Sequence, residues 1–308
     1  MKIIRDIHEL SKVTEDTGVA LGTFDGLHIG HQEVIRTMIL NCQRRNLKSC
    51  VFTFANHPRE VTTPDGAPPR ILSLPDKIRL LESYGVDVLV LLKFDEKLMG
   101  IPADEFVRDI LIHGLNTKYL TVGFDFRFGK GAKGNVDLLR AYSDDGHYEV
   151  DIVKPVQDGG EKVGSTAIRN LLKDGEIEAV NKQLGRHHHV SGEVVKGKQL
   201  GNTIGFPTAN LKISANMTLI KPGVYVTKTT VQDTVFYSVS NVGYNPTFDQ
   251  KLFNLETYIL DFDKDIYGEI ITVEFYTRIR DELKMDSLEQ LVSYIKKDVG
   301  YTREYFNI

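Results

Sequence analysis

Tryptophan is absent from these 308 residues, and cysteine occurs only twice. Cys42 and Cys50 stand eight apart with no CxxC pair, which excludes a disulfide framework and a cysteine zinc site. Both read as small buried hydrophobes. Charge of one sign is also missing: 38 Lys and Arg against 42 Asp and Glu leave a formal net charge of -4, so no nucleic-acid partner is expected. No apolar run approaches the ~20 residues of a membrane span, and the opening MKIIRDIHELSK lacks the apolar core of a signal peptide. The expectation is a cytoplasmic protein with no membrane partner. The HExxH pattern of zinc proteases and a true P-loop are missing too. VGFDFRFGKG is a near miss for the latter, because five residues separate Gly123 from Gly129 and no Ser or Thr follows Lys130.

What is present divides into two textures, as the length of the chain suggests. In the first half, the apolar runs GVALGTF, KSCVFTF, VDVLVLLKF, KYLTVGF and YEVDIVKPV alternate with helical patterns such as HQEVIRTMILNCQRR, PDKIRLLESYG and PADEFVRDILIHG. That alternation predicts βαβ units and a mostly parallel, Rossmann-like sheet with helices. STAIRNLLKDGEIEAVNKQLG reads as two short helices broken at Gly175. From about Gly185 strand signals dominate, and HVSGEVVKG, GVYVTKTTV, TVFYSVSNVG, LETYILDF and EIITVEFYTRI predict a small antiparallel barrel. A terminal helix, SLEQLVSYIKKDV, places Leu288, Leu291, Val292 and Ile295 on one face. The expected fold is therefore α/β plus β-barrel, with domains at 1–184 and 185–308 that touch through a short boundary.

TFDGLHIGH sets two histidines, His28 and His31, at the amino end of a helix, just beyond a strand of the parallel sheet. Open α/β sheets bind ligands at that edge. Free N–H groups and a positive dipole favour a phosphate there, and two imidazoles on one helix face can donate hydrogen bonds to phosphoryl oxygens. For an isolated HxxH, solvated or structural histidines would be the plainer reading. Ser165, Thr166 and Arg169 offer hydroxyl donors and a fixed positive charge at a helix start, although alone they read as an ordinary cap.

In the second half, Gly192, Gly197, Gly201 and Gly205 suit a loop that brings backbone N–H groups close to phosphates. Thr208 and Asn210, two residues apart on a strand, point the same way and can ligate Mg²⁺; a strand with an exposed polar face is the alternative. Three consecutive histidines, His187 to His189, cannot all face one metal ion on a strand or helix, and they read as local solvated groups.

GTFDGLHIGH, FTFANHPRE, VGFDFRFGKG and GSTAIRNLL resemble, in order, the motifs of the adenylyltransferase half of bacterial FAD synthetases. GRHHHVSGEVVKGKQLGNTIGFPTANL, GVYV, NVGYNPTF, LETYILDF and VEFYTRIRDE resemble the riboflavin kinase domain of the same family. The resemblance covers nearly the whole chain. It implies a bifunctional enzyme that phosphorylates riboflavin to FMN and ADP, then adenylylates FMN to FAD with release of pyrophosphate. ATP is the co-substrate, Mg²⁺ the cofactor, and no tightly bound redox cofactor is required.

The resemblance also implies roles. His28, His31 and Glu256 are catalytic, and Gly22, Phe24, Gly30, Ser165, Thr166, Arg169, Gly201 and Gly205 bind ATP. Phe54, His57, Pro58 and Asp125 bind flavin, and Thr208 and Asn210 hold the metal. The chain departs from the family where Gly164 replaces the first Ser of SSTxIR, where GRHHH replaces GRPY, and where arginines are lost from the kinase glycine loop. A transferase acting on pantetheine phosphate or a nicotinamide nucleotide, an enzyme active in one half only, and a flavin-binding regulator without turnover are the alternatives. A weak homo-oligomer through the barrel surface or the final helix is compatible with the sequence.

Overall fold

Strands β2 (Thr17–Leu21) and β4 (Val88–Leu92) are buried at every position. Strands of a parallel sheet covered on both faces have that pattern. The computed structural model describes residues 1–308 except Asp65, Lys198, Gln199, Ala215, Phe248, Asp249, Met285 and Asp286, and gives only the backbone of Leu200, Asn202, 244–247 and 250–253. It divides into two compact units, 1–68 with 74–164, and 69–73 with 165–308.

The first unit holds a six-stranded parallel sheet in the order β1-β4-β3-β2-β5-β6. Its other strands are β1 (Lys2–Ile4), β3 (Lys48–Phe54), β5 (Thr117–Gly123) and β6 (Glu149–Val153). Helices α1 (Ile29–Arg45), α2 (Arg59–Thr62), α3 (Leu74–Ser83), α4 (Glu96–Gly100), α5 (Ala103–Glu105) and α6 (Val136–Asp144) connect them, and α5 runs into a π-helical stretch, Phe106–Gly114. The alternation read from the sequence produces this sheet. β1 went unrecognised because three residues are too few to carry a period.

Strand order reverses between β2 and β5, which makes the carboxyl end of β2 the topological switch point where such sheets take ligands. α1 follows it directly, with Val34, Ile35, Met38 and Cys42 buried against the sheet. Gly18 permits that approach, since a Cβ there would lie 2.3 Å from the Cys42 sulfur. Both cysteines are free and buried, and burial pushes the Cys42 thiol up to about 11. A two-stranded hairpin of β7 (Gln157–Asp158) and β8 (Glu161–Lys162) completes the unit.

The second unit is built on a closed antiparallel barrel in the order β10-β13-β12-β11-β14-β9. Its strands are β9 (His188–Val195), β10 (Thr208–Lys212), β11 (Gly223–Val231), β12 (Thr234–Thr247), β13 (Gln250–Ile259) and β14 (Ile270–Arg280). Helices α7 (Ser165–Asp174) and α8 (Ile177–Leu184), separated at Gly175, bury Ile168, Leu172, Ile177, Val180 and Leu184 in one core with barrel residues such as Val190, Leu211 and Phe275. Compactness divides the chain at Gly164, because both helices bury their apolar faces in the barrel's core. Residues 69–73 join this unit as well. Arg70 forms a parallel bridge to Met217, and Ile71 is fully buried in the barrel's core.

After the short α9 (Leu200–Thr203), the last helix is α10 (Leu288–Phe306). Its docking differs from the apolar face read in the sequence, since Leu288 is 51% exposed while Asp298 and Thr302 are buried. The carboxyl half does the holding. Asp298 accepts a two-pronged hydrogen bond from Arg280, and Phe306 packs between Tyr237 and Tyr276 at ring distances of 4.7 and 5.1 Å.

The triple histidine is not a solvated run. His187 stacks on Tyr276 at 3.8 Å, and His188 alternates with Val190 toward the barrel interior, only 2% exposed. Burial pushes His188 down to about 3, and its Nε2 has no hydrogen-bond partner among the described residues. The unfolded chain therefore binds a proton here that the folded barrel refuses, so stability falls as pH drops from about 6.5 toward 3. Urea unfolding of wild type and His188→Leu between pH 7 and 4.5 should show the wild type losing up to about 1.4 kcal/mol per pH unit more than the variant. Parallel pH profiles would show that His188 carries no linkage.

Candidate functional site

At the carboxyl end of β2 the chain turns through three left-handed residues, Phe24 (φ 48°), Gly26 (φ 79°) and Leu27 (φ 44°). Two of them carry side chains, and each such conformation costs on the order of 1 kcal/mol or more, so the surroundings must enforce it. Phe24 and Leu27 are fully buried, and the Thr23 carbonyl accepts hydrogen bonds from the Thr53 hydroxyl (3.0 Å) and the Lys77 ammonium (2.8 Å).

The loop ends at His28, which caps α1: its Nδ1 accepts the His31 backbone N–H at 3.3 Å. An accepting Nδ1 is unprotonated, so the neutral ring carries its hydrogen on Nε2. The two imidazoles stack at 3.6 Å with planes 20° apart, and Phe24 meets His31 edge-on at 5.4 Å. His31 is held well below the ordinary histidine range by burial first, then by His28 and Lys77. Its Nδ1 is shielded and has no hydrogen-bond partner among the described residues. An orphaned polar atom of this kind costs roughly 1–3 kcal/mol and calls for an explanation, of which an absent ligand is one. Two neutral rings at a helix amino end make a donor pair suited to an anion.

The glycines of this motif have geometric reasons. A Cβ on Gly22 would sit 2.8 Å from the Phe24 ring, and one on Gly30 would lie 3.2 Å from the His28 imidazole. Phe54, at the end of β3, packs edge-on against Phe52 and Phe94 at 5.8 and 5.2 Å. His57 is fixed by its own turn: Nδ1 accepts the Arg59 backbone N–H at 3.1 Å, while Pro58 caps α2. Asp125 is exposed and ion-paired to Lys162, whose ammonium also lies 4.5 Å above the exposed Phe124 ring. Ser165, Thr166 and Arg169 start α7 and fall in the second compact unit. Arg169 is buried, with Nε donating to the Pro69 carbonyl at 2.7 Å.

In the barrel, the pairing of β10 with β13 sets Thr208 opposite Tyr258 and Asn210 opposite Glu256. Directly opposed residues share a face. Ala209, Leu211, Leu255 and Thr257 are buried on the inner face, so Thr208, Asn210 and Glu256 stand together on the outer one. Gly197 abuts this group, since a Cβ there would come 2.5 Å from the Asn210 carboxamide. Gly201 receives the Phe206 backbone N–H at 2.8 Å and leaves no room for a side chain against the Phe206 carbonyl; Gly205 is left-handed at φ 80°. Lys198, Gln199 and Phe248 of the motifs read above lie outside the described residues.

Two residues escaped the sequence reading. Asn254 donates to Glu256 Oε1 at 2.7 Å, and period-two spacing on the strand already placed it on the same face. Asn241 lies opposite Glu256 on β12, a neighbour that only strand pairing reveals. Among the described residues no group of three or more His, Cys, Asp or Glu side chains is placed to hold a metal, and no helix is long and apolar enough to cross a membrane.

Comparison with known proteins agrees with both halves. A family model described as FAD synthetase matches residues 10–167, and one described as riboflavin kinase matches 184–306. Relatives named bifunctional riboflavin kinase/FMN adenylyltransferase include those of Haemophilus influenzae, 36% identical over 100% of both chains, and Bacillus subtilis, 35% identical over 100% of this chain and 99% of the other. A crystal structure from Streptococcus pneumoniae, described as a macrolide-efflux protein, superposes with a TM-score of 0.89 at 36% identity over 98% of both chains. The two-texture reading, the parallel sheet, the barrel and the relatives lead to one family: the chain belongs to the bifunctional riboflavin kinase/FMN adenylyltransferases.

Proposed function

We propose that the two family activities are carried by two separate groups of side chains, Thr208, Asn210 and Glu256 on the barrel and His28 and His31 at the switch point of the sheet. The observation that carries this reading is the register of β10 and β13, which sets Asn210 beside Glu256 on the outer face with Thr208 one pleat away.

In the kinase step the Glu256 carboxylate accepts the proton of the riboflavin 5′-hydroxyl as its oxygen attacks the γ-phosphorus of ATP and ADP leaves. Asn254 orients that carboxylate through its hydrogen bond. Hard, neutral oxygens suit Mg²⁺, which prefers few protein ligands and fills its shell with phosphate and water. Thr208 Oγ1 and Asn210 Oδ1 are such a pair, and the side-chain-free Gly197 leaves the carboxamide room. Bound there, the ion neutralises charge on the ATP phosphates. The backbone around Gly201 and Gly205 lines the same phosphates.

In the transferase step an FMN phosphate oxygen attacks the α-phosphorus of ATP and pyrophosphate leaves. The Nε2–H of His28, its partner His31 and the amino end of α1 stabilise the charge that spreads over the phosphoryl oxygens. Gly22, Phe24 and Gly30 shape that contact by keeping the rings in place. The family resemblance gives Ser165, Thr166 and Arg169 a role in binding ATP, and Phe54, His57, Pro58 and Asp125 a role in binding flavin. We place the functional boundary at 184/185 and the enzyme in the cytoplasm, with riboflavin, FMN, FAD, ATP, ADP and pyrophosphate as its partners.

A chromatographic time course with riboflavin, ATP and Mg²⁺ tests this. FMN should rise before FAD, and chelation of Mg²⁺ should stop FMN formation. His28→Ala or His31→Ala should lower FAD formation from supplied FMN about 100-fold and spare FMN formation from riboflavin, and Glu256→Gln should do the reverse; equal loss of both separately assayed steps in each variant would refute the assignment. Backbone-level variants should divide in the same way. Gly30→Ala, which crowds His28, should cost FAD formation roughly 10-fold or more, and Gly197→Ala, which crowds Asn210, should cost FMN formation by a similar factor.

A further inference from the structure

Lys77 lies in the first half of α3 and is only 8% exposed. A lysine is rarely that buried without a dedicated partner. Its ammonium donates to the Thr23 carbonyl, and the same oxygen takes the hydroxyl of the wholly buried Thr53. The next residues are the left-handed Phe24, Gly26 and Leu27, and the loop then delivers His28 to the start of α1. Phe24 stands edge-on to His31, which stacks on His28. An unbroken path of contacts thus runs from the ammonium through one carbonyl and one phenyl ring to both imidazoles.

We propose that Lys77 is a positioning residue for adenylyl transfer, one that clamps the Thr23 carbonyl and so fixes the strained turn that sets the His28–His31 pair. The proposal rests on the reading of that pair as the phosphate-binding group. A second consequence is electrostatic. The titratable groups acting on His31 are His28 at its own helix start and Lys77 from α3, and both add to burial in disfavouring the imidazolium. The neighbouring Asp76 is engaged by Arg79. Lys77 thereby supplies fixed positive charge near the anion site while His31 stays neutral.

The test uses the full-length protein with Lys77→Met and Lys77→Arg, with FMN formation by the barrel as internal control. Lys77→Met should lower kcat for FAD formation about 10- to 100-fold, more than it changes KM for ATP, and should move the acid limb of the pH profile upward. Lys77→Arg, which keeps the charge and a donor, should retain the wild-type acid limb. In wild type, NMR titration should find the His31 ring neutral across the pH range where free histidine protonates. A Lys77→Met enzyme within twofold of wild type and with an unshifted acid limb overturns the proposal. An ordinary His31 titration in wild type overturns the electrostatic consequence, and should Lys77→Met not fold, a Lys77→Gln enzyme within twofold of wild type overturns the clamp. Should His28→Ala also leave FAD formation intact, the error lies in the histidine site itself; a dead His28→Ala beside a normal Lys77→Met faults the clamp alone.

Discussion

Strand pairing around the closed barrel is the constraint on which the second half depends, because successive side chains alternate between inside and outside. A one-residue slip of β10 against β13 would turn Asn210 inward and Leu211 into water while Glu256 stayed outside, separating the pair. Buried hydroxyls pin the register from within. Thr227 meets Ser238 and Ser240, and Ser240 meets Thr257, each at 2.8 Å and with all four residues fully buried. These groups satisfy one another only in this pairing, and an unmatched buried hydroxyl is costly. The same alternation that fills the interior therefore brings Thr208, Asn210 and Glu256 together on the outer face.

The sheet obeys a different logic. Its core is apolar apart from hydroxyls buried along β2, β3 and β5, among them Thr17, Thr53 and Thr121, and the left-handed turn with its two imidazoles lies where strand order reverses. There the chain accepts left-handed backbone at two non-glycine residues and an orphaned imidazole nitrogen. Both are unfavourable locally, and both are held by buried neighbours, notably the phenyl ring of Phe24 and the two donors on the Thr23 carbonyl. Strained backbone of this kind persists only where surrounding structure over-determines it.

Much of this was legible in advance. The helix after His28, the strands flanking it, the break at Gly175 and the succession of barrel strands follow from periodicity and from glycine. Placing Thr208 with Asn210, and Asn254 with Glu256, needed only the period of a strand. The solvated reading of His188 fails because what a residue buries against is a long-range matter, and the burial of α7, α8 and residues 69–73 in the barrel's core is equally invisible to local pattern. Likewise α10 has an apolar stripe, yet it is held by Arg280 on Asp298 and by the aromatic contacts of Phe306.

By itself the sequence determined the two-part α/β and barrel architecture, and it singled out the candidate site residues, because local periodicity and motif spacing are written within a few residues. Only the tertiary structure decided which of those residues meet. It opposed Asn210 to Glu256 and Asn241 to Glu256, stacked His28 on His31, brought Lys77 to Thr23 across 54 residues of chain, and set His188 inside the barrel. The physical reason is that pairing register and burial are settled by the summed packing of distant segments, which no local pattern encodes.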